Sequence, residues 1–392
     1  MRILMVHNFY QQPGGEDQSF AAEVEMLRRR GVEVVTWTVH NDDIENIPPA
    51  RLSLNTIWNR EAAREFRARQ ATDGPFDVVH FQNTFPQISP AAIWAAGQSR
   101  SAVVQTLRNY RLLCVNGLFF RDGKACELCI DRRLQLPGIR YACYRSSIPA
   151  SATVAAMNYY GRLKRVHEQS VDAFIALSAF ARSKYVHTGL DAQRILVKPN
   201  FVAVDPGIGQ GSGHYAIFVG RLSPEKGVKT LLNAWDHIGT KLPLKIVGDG
   251  PLAEQVRTAA ANSNGGIEWL GRKARDVTED LIGDASLLIF PSECYETFGR
   301  VAIEAYAKGT PVIAANIGAI AELVEEGETG LRFEPGLPLD LAAKVETFLK
   351  AQDAPHWRTR ARQEFERKYT SDSNYETLMT IYAGAIARKR GA

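Results

Sequence analysis

The 392 residues contain no apolar run of membrane-spanning length, which leaves no candidate transmembrane helix. The opening Arg2-Ile3-Leu4-Met5-Val6 is too short for a signal peptide and runs into polar Gln11-Gln12-Pro13-Gly14-Gly15. A cytoplasmic protein is expected. Cysteine is scarce, with five in the chain. In that compartment they should be reduced or metal-bound rather than disulfide-linked. Internal repeats and low-complexity tracts are absent, which argues against solenoids and disordered tails. Net charge is small at +4. It is unevenly spread: residues 100–147 hold nine Lys and Arg against Asp122, Glu127 and Asp131.

What is present is an alternation of short apolar runs and amphipathic stretches. A chain of this length should divide, since single cores rarely grow beyond about 250–300 residues. Strands are expected at 3–6, 32–39, 77–81, 102–106 and 173–177, with helices at 16–30, 90–98 and 153–169. A glycine-rich connection, 204–213, follows Lys198-Pro199-Asn200. The rhythm then restarts, with strands at 215–219, 244–247, 267–270, 286–290 and 311–314. Helices are expected at 228–238, 251–261, 301–308, 340–349, 356–368 and 373–388. Such βαβ order predicts α/β architecture: two Rossmann-like, doubly wound parallel-sheet domains facing a cleft. The expected division is 1–198, 199–370 and a C-terminal helix, 371–392, crossing back to the first domain. Residues 107–149 break the rhythm and read as a Cys-rich insertion.

The chemistry is expected around 291–304, Pro-Ser-Glu-Cys-Tyr-Glu-Thr-Phe-Gly-Arg-Val-Ala-Ile-Glu. Strand, polar turn and helix put this loop at the carboxyl edge of a parallel sheet, where ligands bind. Glu296 lies in the turn. Gly299 lets a ligand approach backbone, and the helix start offers N–H groups to an anion. Glu304 lies one turn beyond Arg300 on one face. An ordinary solvated loop has the same pattern. The second half adds Gly220-Arg221-Leu222 and Pro224-Glu225-Lys226-Gly227 after a strand, and Gly248-Asp249-Gly250 after the next. Arg offers a planar fork for phosphate and Lys a point charge. No pair of aspartates with one spacer accompanies them, so these cations would neutralise a diphosphate in place of magnesium.

These residues carry a family resemblance. The run from Gly220 to Gly227, Val247-Gly248-Asp249-Gly250-Pro251, Trp269-Leu270-Gly271, Glu296-Thr297-Phe298-Gly299, Glu304-Ala305 and Gly309-Thr310-Pro311 resemble the glycosyltransferase family 4 (group 1) pattern. The resemblance implies a GT-B fold and retaining transfer of a hexose from a nucleoside-diphosphate sugar to a hydroxyl of a lipid-linked or polysaccharide acceptor, in cell-envelope or exopolysaccharide synthesis. No catalytic cofactor is implied. Arg221 and Lys226 would hold the donor diphosphate, Glu296 the sugar hydroxyls, and Glu304 the ribose. Thr297, Phe298 and Gly299 would add backbone N–H groups. Gly14 and Gly15 would let the first loop approach the diphosphate and acceptor. A retaining outcome needs a carboxylate nucleophile or same-face attack; the family's reading is the latter.

One position departs from that pattern. Arg108 stands where many relatives carry a histidine near the sugar, and it cannot act as a base. It would bind an anionic group, while His80 is either a partial substitute or a buried structural histidine. Cys114, Cys126, Cys129 and Cys143, at C-x11-C-x2-C-x13-C, are compatible with a structural zinc site, with disulfides, or with reduced thiols. Cys294 reads as a packing residue. The basic 100–145 segment would face an acceptor diphosphate or the inner membrane surface as a peripheral contact. A nucleotide-sugar epimerase or phosphorylase-like enzyme is the alternative within the fold. A nucleic-acid module is disfavoured because stacking aromatics do not interleave with the basic residues, so no nucleic-acid partner is expected.

Overall fold

The computed structural model describes residues 1–12, 14–351 and 354–391. Pro13 of the expected glycine turn lies outside them, as do Gln352, Asp353 and Ala392 of the expected second domain and last helix. The chain forms two compact units. The first holds residues 1–119, 127–203 and 374–391; the second holds 120–126 and 204–373.

In the first unit the strands are β1 (Arg2–Phe9), β2 (Glu33–His40), β3 (Val78–Phe81), β4 (Ala102–Leu107), β7 (Ala173–Ala176) and β8 (Ile195–Val197). A two-stranded hairpin, β5 (Phe120–Arg121) and β6 (Lys124–Ala125), interrupts the series. The six main strands form one parallel sheet in the order β2-β1-β3-β4-β7-β8. The inner strands are buried on both faces, as their continuous apolar runs require: Ile3, Leu4, Met5 and Val6 are inaccessible to solvent. The first helix, Gly15–Arg29, has Glu16 and Asp17 in its first turn and Arg28 and Arg29 in its last, in line with the helix dipole. The Asp17 carboxylate accepts the Gly14 N–H (2.9 Å).

The last helix, Ser371–Gly391, closes this core. Leu378, Ile381, Tyr382 and Ala385 repeat at helical spacing and pack in one cluster with Ile3, Met5, Val104 and Ile175. Burying each such large apolar side chain contributes about 1.5–3 kcal/mol. At the helix end, Arg388 donates to the Asp172 carbonyl (2.6 Å) and Lys389 to that of Gly97 (2.8 Å).

The second unit repeats the plan with β9 (Ala216–Val219), β10 (Leu244–Val247), β11 (Ile267–Gly271), β12 (Leu287–Phe290), β13 (Val312–Ala315) and β14 (Gly330–Phe333). All are parallel, in the order β11-β10-β9-β12-β13-β14. Helix Val228–Ile238 covers this sheet with Val228, Leu231, Leu232, Trp235 and Ile238. The sheet order reverses direction at β9 and β12, which are paired through Leu287 with Ala216 and Leu288 with Ile217. That is the switch point where parallel sheets open a crevice.

Several elements differ from expectation. Strands β8 and β14 were not anticipated, and both are sheet edges; β8 is three residues long with Leu196 and Val197 exposed. Helices Pro49–Trp58, Arg60–Thr72, Ala179–His187, Arg275–Asp284 and Gly318–Leu323 were also missed. The helix expected at 153–169 begins earlier, at Ile148, because Ser147 caps it by accepting from the Ala150 N–H (3.3 Å). It ends at Leu163, and Arg165 in the left-handed region separates it from Val166–Ser170. Residues 108–147 are irregular apart from the hairpin and the short helix Leu136–Arg140.

Of the three readings of the cysteines, the structure supports neither zinc nor disulfides. Among the described residues no three Cys, His, Asp or Glu side chains converge into a metal site, and none of the five cysteines is in a disulfide. Cys114 is buried, and its thiol donates to Asn116 Oδ1 (3.0 Å). Cys129 is buried with its sulfur toward the Gln135 carbonyl (3.9 Å). Cys126 and Cys143 are half-buried. The segment is held instead by amide groups: Asn158 Nδ2 donates to the Arg111 carbonyl (2.6 Å) and to Gln135 Oε1 (2.9 Å). Arg162 adds bonds to the Leu112 and Arg132 carbonyls, each at 3.1 Å.

Candidate functional site

Two loops at the carboxyl ends of the adjacent strands β9 and β12 meet in the second unit. The β9 loop carries Arg221, exposed, and a 3-10 turn Pro224–Lys226 ending at Gly227. Gly227 has φ +68°, and a Cβ there would lie 1.8 Å from the Pro291 carbonyl oxygen. Only glycine lets this loop lie against the β12 loop. The Glu293 N–H donates to the Glu225 carbonyl (2.9 Å), which fastens the two together.

That approach delivers Lys226 to Glu296, and the two form a short charge-assisted hydrogen bond. Ser292 Oγ donates to the same Glu296 oxygen (3.0 Å). Burial alone would lower the Lys226 pKa, but the Glu296 carboxylate more than offsets it and raises it. Lys226 is therefore a fixed positive charge at neutral pH. Cys294 is buried, and burial pushes its thiol well above the ordinary range, so it is a protonated packing residue.

Gly299, at φ +146°, precedes helix Arg300–Ala307; its missing Cβ would meet Phe290 and Leu323 side chains at 2.8 Å. The Phe298 ring is buried edge to face against Tyr369 (6.0 Å). This leaves the backbone, not the ring, as the polar group of Phe298. Arg300 Nη2 donates to Glu304 Oε1 (3.1 Å), both side chains being partly exposed.

In the first unit the expected residues are placed differently. Gly14 caps the first helix in extended conformation, and a Cβ there would meet nothing within 4 Å; Gly15 begins the helix beside it. His80 and Arg108 lie in the interior. His80 is fully buried, with Nδ1 2.7 Å from Tyr382 Oη and Nε2 2.7 Å from Thr106 Oγ1. Burial holds its pKa down to about 4, so it is neutral at pH 7. Arg108 is 6% exposed; its Nε donates to Gln82 Oε1 (2.7 Å) and its Nη1 to Asn200 Oδ1 (2.6 Å). Both surround Glu23, which is 1% exposed. Glu23 accepts from Lys198 Nζ (2.9 Å) and Gln82 Nε2 (2.7 Å). Lys198 also donates to Asn374 Oδ1 of the last helix (3.0 Å). Arg108 and His80 thus lie in a buried polar network, which for His80 is the structural alternative of the two expected.

Reasoning from sequence missed this network, and also the buried His7–Asp17 pair (2.8 Å) beside Gly14. Nothing in the spacing of His7, Glu23, Lys198 and Asn374 marks them, since they meet only through the fold.

Comparison with known proteins follows the same division. Residues 210–365 match the model described as glycosyl transferases group 1, and residues 14–200 that of the glycosyl transferase 4-like domain. An uncharacterized glycosyltransferase of Methanocaldococcus jannaschii is 32% identical over 204 residues, 51% of this chain and 57% of that protein. The phosphatidyl-myo-inositol mannosyltransferase of Mycobacterium leprae is 25% identical over 406 aligned positions, 97% of this chain and 96% of that protein. The chain spans about half the length of several curated relatives it matches. Among solved structures, Anabaena HepE in complex with UDP has a TM-score of 0.69 at 17% identity, covering 98% of this chain and 100% of that one.

Proposed function

Because this chain belongs to the group 1 glycosyltransferases, with the GT-B architecture of two parallel-sheet α/β domains, we propose that it is a retaining, metal-independent hexosyltransferase. It takes a nucleoside-diphosphate sugar as donor and a hydroxyl of a lipid-linked or polysaccharide glycan as acceptor. The observation that carries the reading is the Lys226–Glu296 pair, set beside exposed Arg221 at the β9–β12 switch point.

Cleaving the anomeric bond puts negative charge on the diphosphate. Arg221 and Lys226 stabilise it; one such preorganised contact is worth about 2.7–4 kcal/mol. Glu296 holds Lys226 in place before the donor arrives and then meets donor hydroxyls. Its carboxylate is engaged by Lys226 and Ser292, which suits a binding role better than a nucleophile and favours same-face attack. The N–H groups at 297–299 and the start of helix Arg300–Ala307 suit phosphate oxygens. Glu304 takes the ribose hydroxyls. The first unit is the acceptor domain, with Gly14 and Gly15 at the approach to the diphosphate.

A peripheral membrane contact also fits the first unit. From Arg132 to His167 there are seven Arg and Lys and no Asp or Glu. Leu134, Leu136, Tyr141, Ile148, Tyr159 and Leu163 are exposed in that same stretch. Basic charge with exposed apolar side chains suits an anionic bilayer surface. Among the described residues no helix is long and apolar enough to cross a membrane.

The test of the donor site is a thermal-shift screen across nucleoside diphosphates and their sugars. A ligand at 100 times its dissociation constant stabilises by about 2.7 kcal/mol. A shift with one base, lost in Arg221→Ala, is the expected result. No shift with any of them refutes the donor site. Liposome sedimentation tests the membrane contact: binding to anionic vesicles that weakens with salt is expected, and no binding at any salt removes it.

A further inference from the structure

Glu293 is the carboxylate of the β12 loop that none of the roles above uses. Its backbone N–H holds the Glu225 carbonyl (2.9 Å), and its side chain makes a second contact. Thr230 Oγ1 donates to Glu293 Oε1 (2.6 Å). Thr230 lies in the first turn of helix Val228–Ile238 and is buried. Hydroxyls in helices commonly bond a carbonyl one turn back; that of Thr230 reaches out of its helix to the β12 loop instead. Glu293 itself is half-buried. The loop after β14 flanks it, since a Cβ at Gly336 would lie 4.0 Å from the Glu293 carboxyl carbon. Among the described residues no Lys, Arg or His forms an ion pair with Glu293. What the side chain supplies is an acceptor for one hydroxyl.

The two contacts fall on either side of Lys226 in the chain. One takes the residue before it, Glu225, and the other takes Thr230 in the helix that follows. Between them Gly227 lies against Pro291 with no room for a side chain. The Glu225 carboxylate is fixed in turn by Ser223 Oγ (2.6 Å). Lysine carries its charge on a flexible stem, so the place of that charge depends on how the backbone beneath it is held. Here the backbone is gripped by the same loop whose Glu296 receives the ammonium.

We propose that Glu293 is a positioning residue for transfer: by holding the Thr230 hydroxyl and the Glu225 carbonyl it sets Lys226 in place for the charge that develops on the diphosphate. This rests on the reading of the β9–β12 site as the donor site. Because Glu293 acts through Lys226, its loss slows turnover more than it weakens nucleotide binding, and it matters little once Lys226 is gone. A contact that only stabilised the fold would lower the melting temperature and leave turnover per folded molecule alone.

The test is nucleotide release by the full chain from UDP-glucose and GDP-mannose, with water as acceptor, alongside titration of UDP and GDP. Wild type is compared with Glu293→Ala, Glu293→Gln, Thr230→Val and Lys226→Ala, each below its own measured melting transition. Expected are a kcat roughly tenfold lower in E293A, with nucleotide affinity changed by no more than about threefold. E293Q should recover most of the rate, because its amide oxygen still accepts the hydroxyl. T230V should slow release to a similar degree, and T230V/E293A no further than E293A alone, since both remove one contact. In the Lys226→Ala background E293A should change the rate by less than about twofold. Crystal structures of wild type and E293A give a readout that needs no turnover: Lys226 shifted off Glu296 is expected. Lys226 in its wild-type place, a folded E293A that turns over at the wild-type rate, or equal slowing with and without Lys226 overturns the assignment. The two readings separate: if wild type binds neither nucleotide, the donor-site reading itself fails, whereas nucleotide binding with an unaffected E293A removes only the role of Glu293.

Discussion

The two units each place a Glu–Lys pair at the carboxyl side of a parallel sheet, and the pairs live in opposite surroundings. Glu23–Lys198 is closed off, at 1% and 2% side-chain exposure, and braced by Gln82, Arg108, His80 and Asn374. Glu296–Lys226 is open, at 18% and 29%. A buried ion pair rarely adds net stability, yet losing one partner is costly because the other charge stays in the interior. An open pair is free to exchange its partner for a ligand. The same two residue types therefore serve as a structural clamp in one unit and as candidate chemistry in the other, and solvent access makes the difference.

The largest effect is expected from breaking the closed pair. Lys198→Met should destabilise the chain by about 3–5 kcal/mol, measured as the earliest transition in urea by circular dichroism. The double variant Glu23→Leu with Lys198→Met should recover much of that loss, since no lone charge remains. If Lys198→Met costs nothing, the clamp reading is wrong. Breaking the open pair should leave stability nearly unchanged and act on turnover. Lys226→Ala is expected to lower kcat by roughly 100- to 1,000-fold, read as nucleotide released in the presence of acceptor. A stability loss as large as that of Lys198→Met would erase the contrast between the two sites.

Acid should also separate them. Burial holds His80 and His167 at about 4, below the ordinary histidine value. A histidine whose folded pKa is lowered stays neutral in the fold while the unfolded chain takes up protons. Stability should thus be full above about pH 6.5 and fall as pH drops toward 4, by about 2 kcal/mol per histidine at pH 5. Burial would raise the Glu23 pKa, but the cations around it win and hold it at about 2. Its contribution is lost later, as pH falls from about 4.5 toward 2. His167→Gln should flatten the slope of stability between pH 6.5 and 4; an unchanged slope would show that His167 titrates normally.

How much of this was legible in the chain follows the same division. The second-unit site is local: Arg221 and Lys226 share one turn, Glu296 and Glu304 share one strand-turn-helix passage, and Gly227 and Gly299 mark where backbone must come close. Short-range pattern carries such a site, and it carries inner strands with continuous apolar runs, such as β1 and β12. Edge strands β8 and β14 are harder to read because their runs are short: β8 is three residues, and β14 is broken by Gly330 and Arg332. The Glu23 network is assembled from residues near both ends of the chain, Glu23 and Asn374 among them, so no spacing reveals it. Arg108 was singled out by its position in the family pattern, and its partners Gln82 and Asn200, which come from distant loops, could not be read from that position. The cysteine spacing left zinc, disulfides and reduced thiols open for a similar reason: what holds the segment is amide and arginine bonds from helix Ile148–Leu163, which the spacing does not show.

The smallest expected effect sharpens the comparison most, because it distinguishes two roles within the open site. Glu304 is partly exposed, and its pair with Arg300 spans one helical turn, a contact worth at most a few tenths of a kcal/mol to stability. Glu304→Ala should therefore leave the melting temperature almost unchanged. If Glu304 takes the ribose hydroxyls, the variant loses a charge-assisted hydrogen bond to them, about 1.4 kcal/mol, or roughly tenfold in nucleotide affinity. If Glu296 meets donor hydroxyls, as proposed, Glu296→Ala should instead lower turnover and relax the choice of sugar, with nucleotide affinity changed less, since its observed partners are Lys226 and Ser292. Titration of the nucleoside diphosphate against both variants, with turnover measured on the same preparations, separates the roles. Equal loss of nucleotide affinity in the two variants would merge the carboxylates into one function and remove the division of labour along the loop and helix that follow β12.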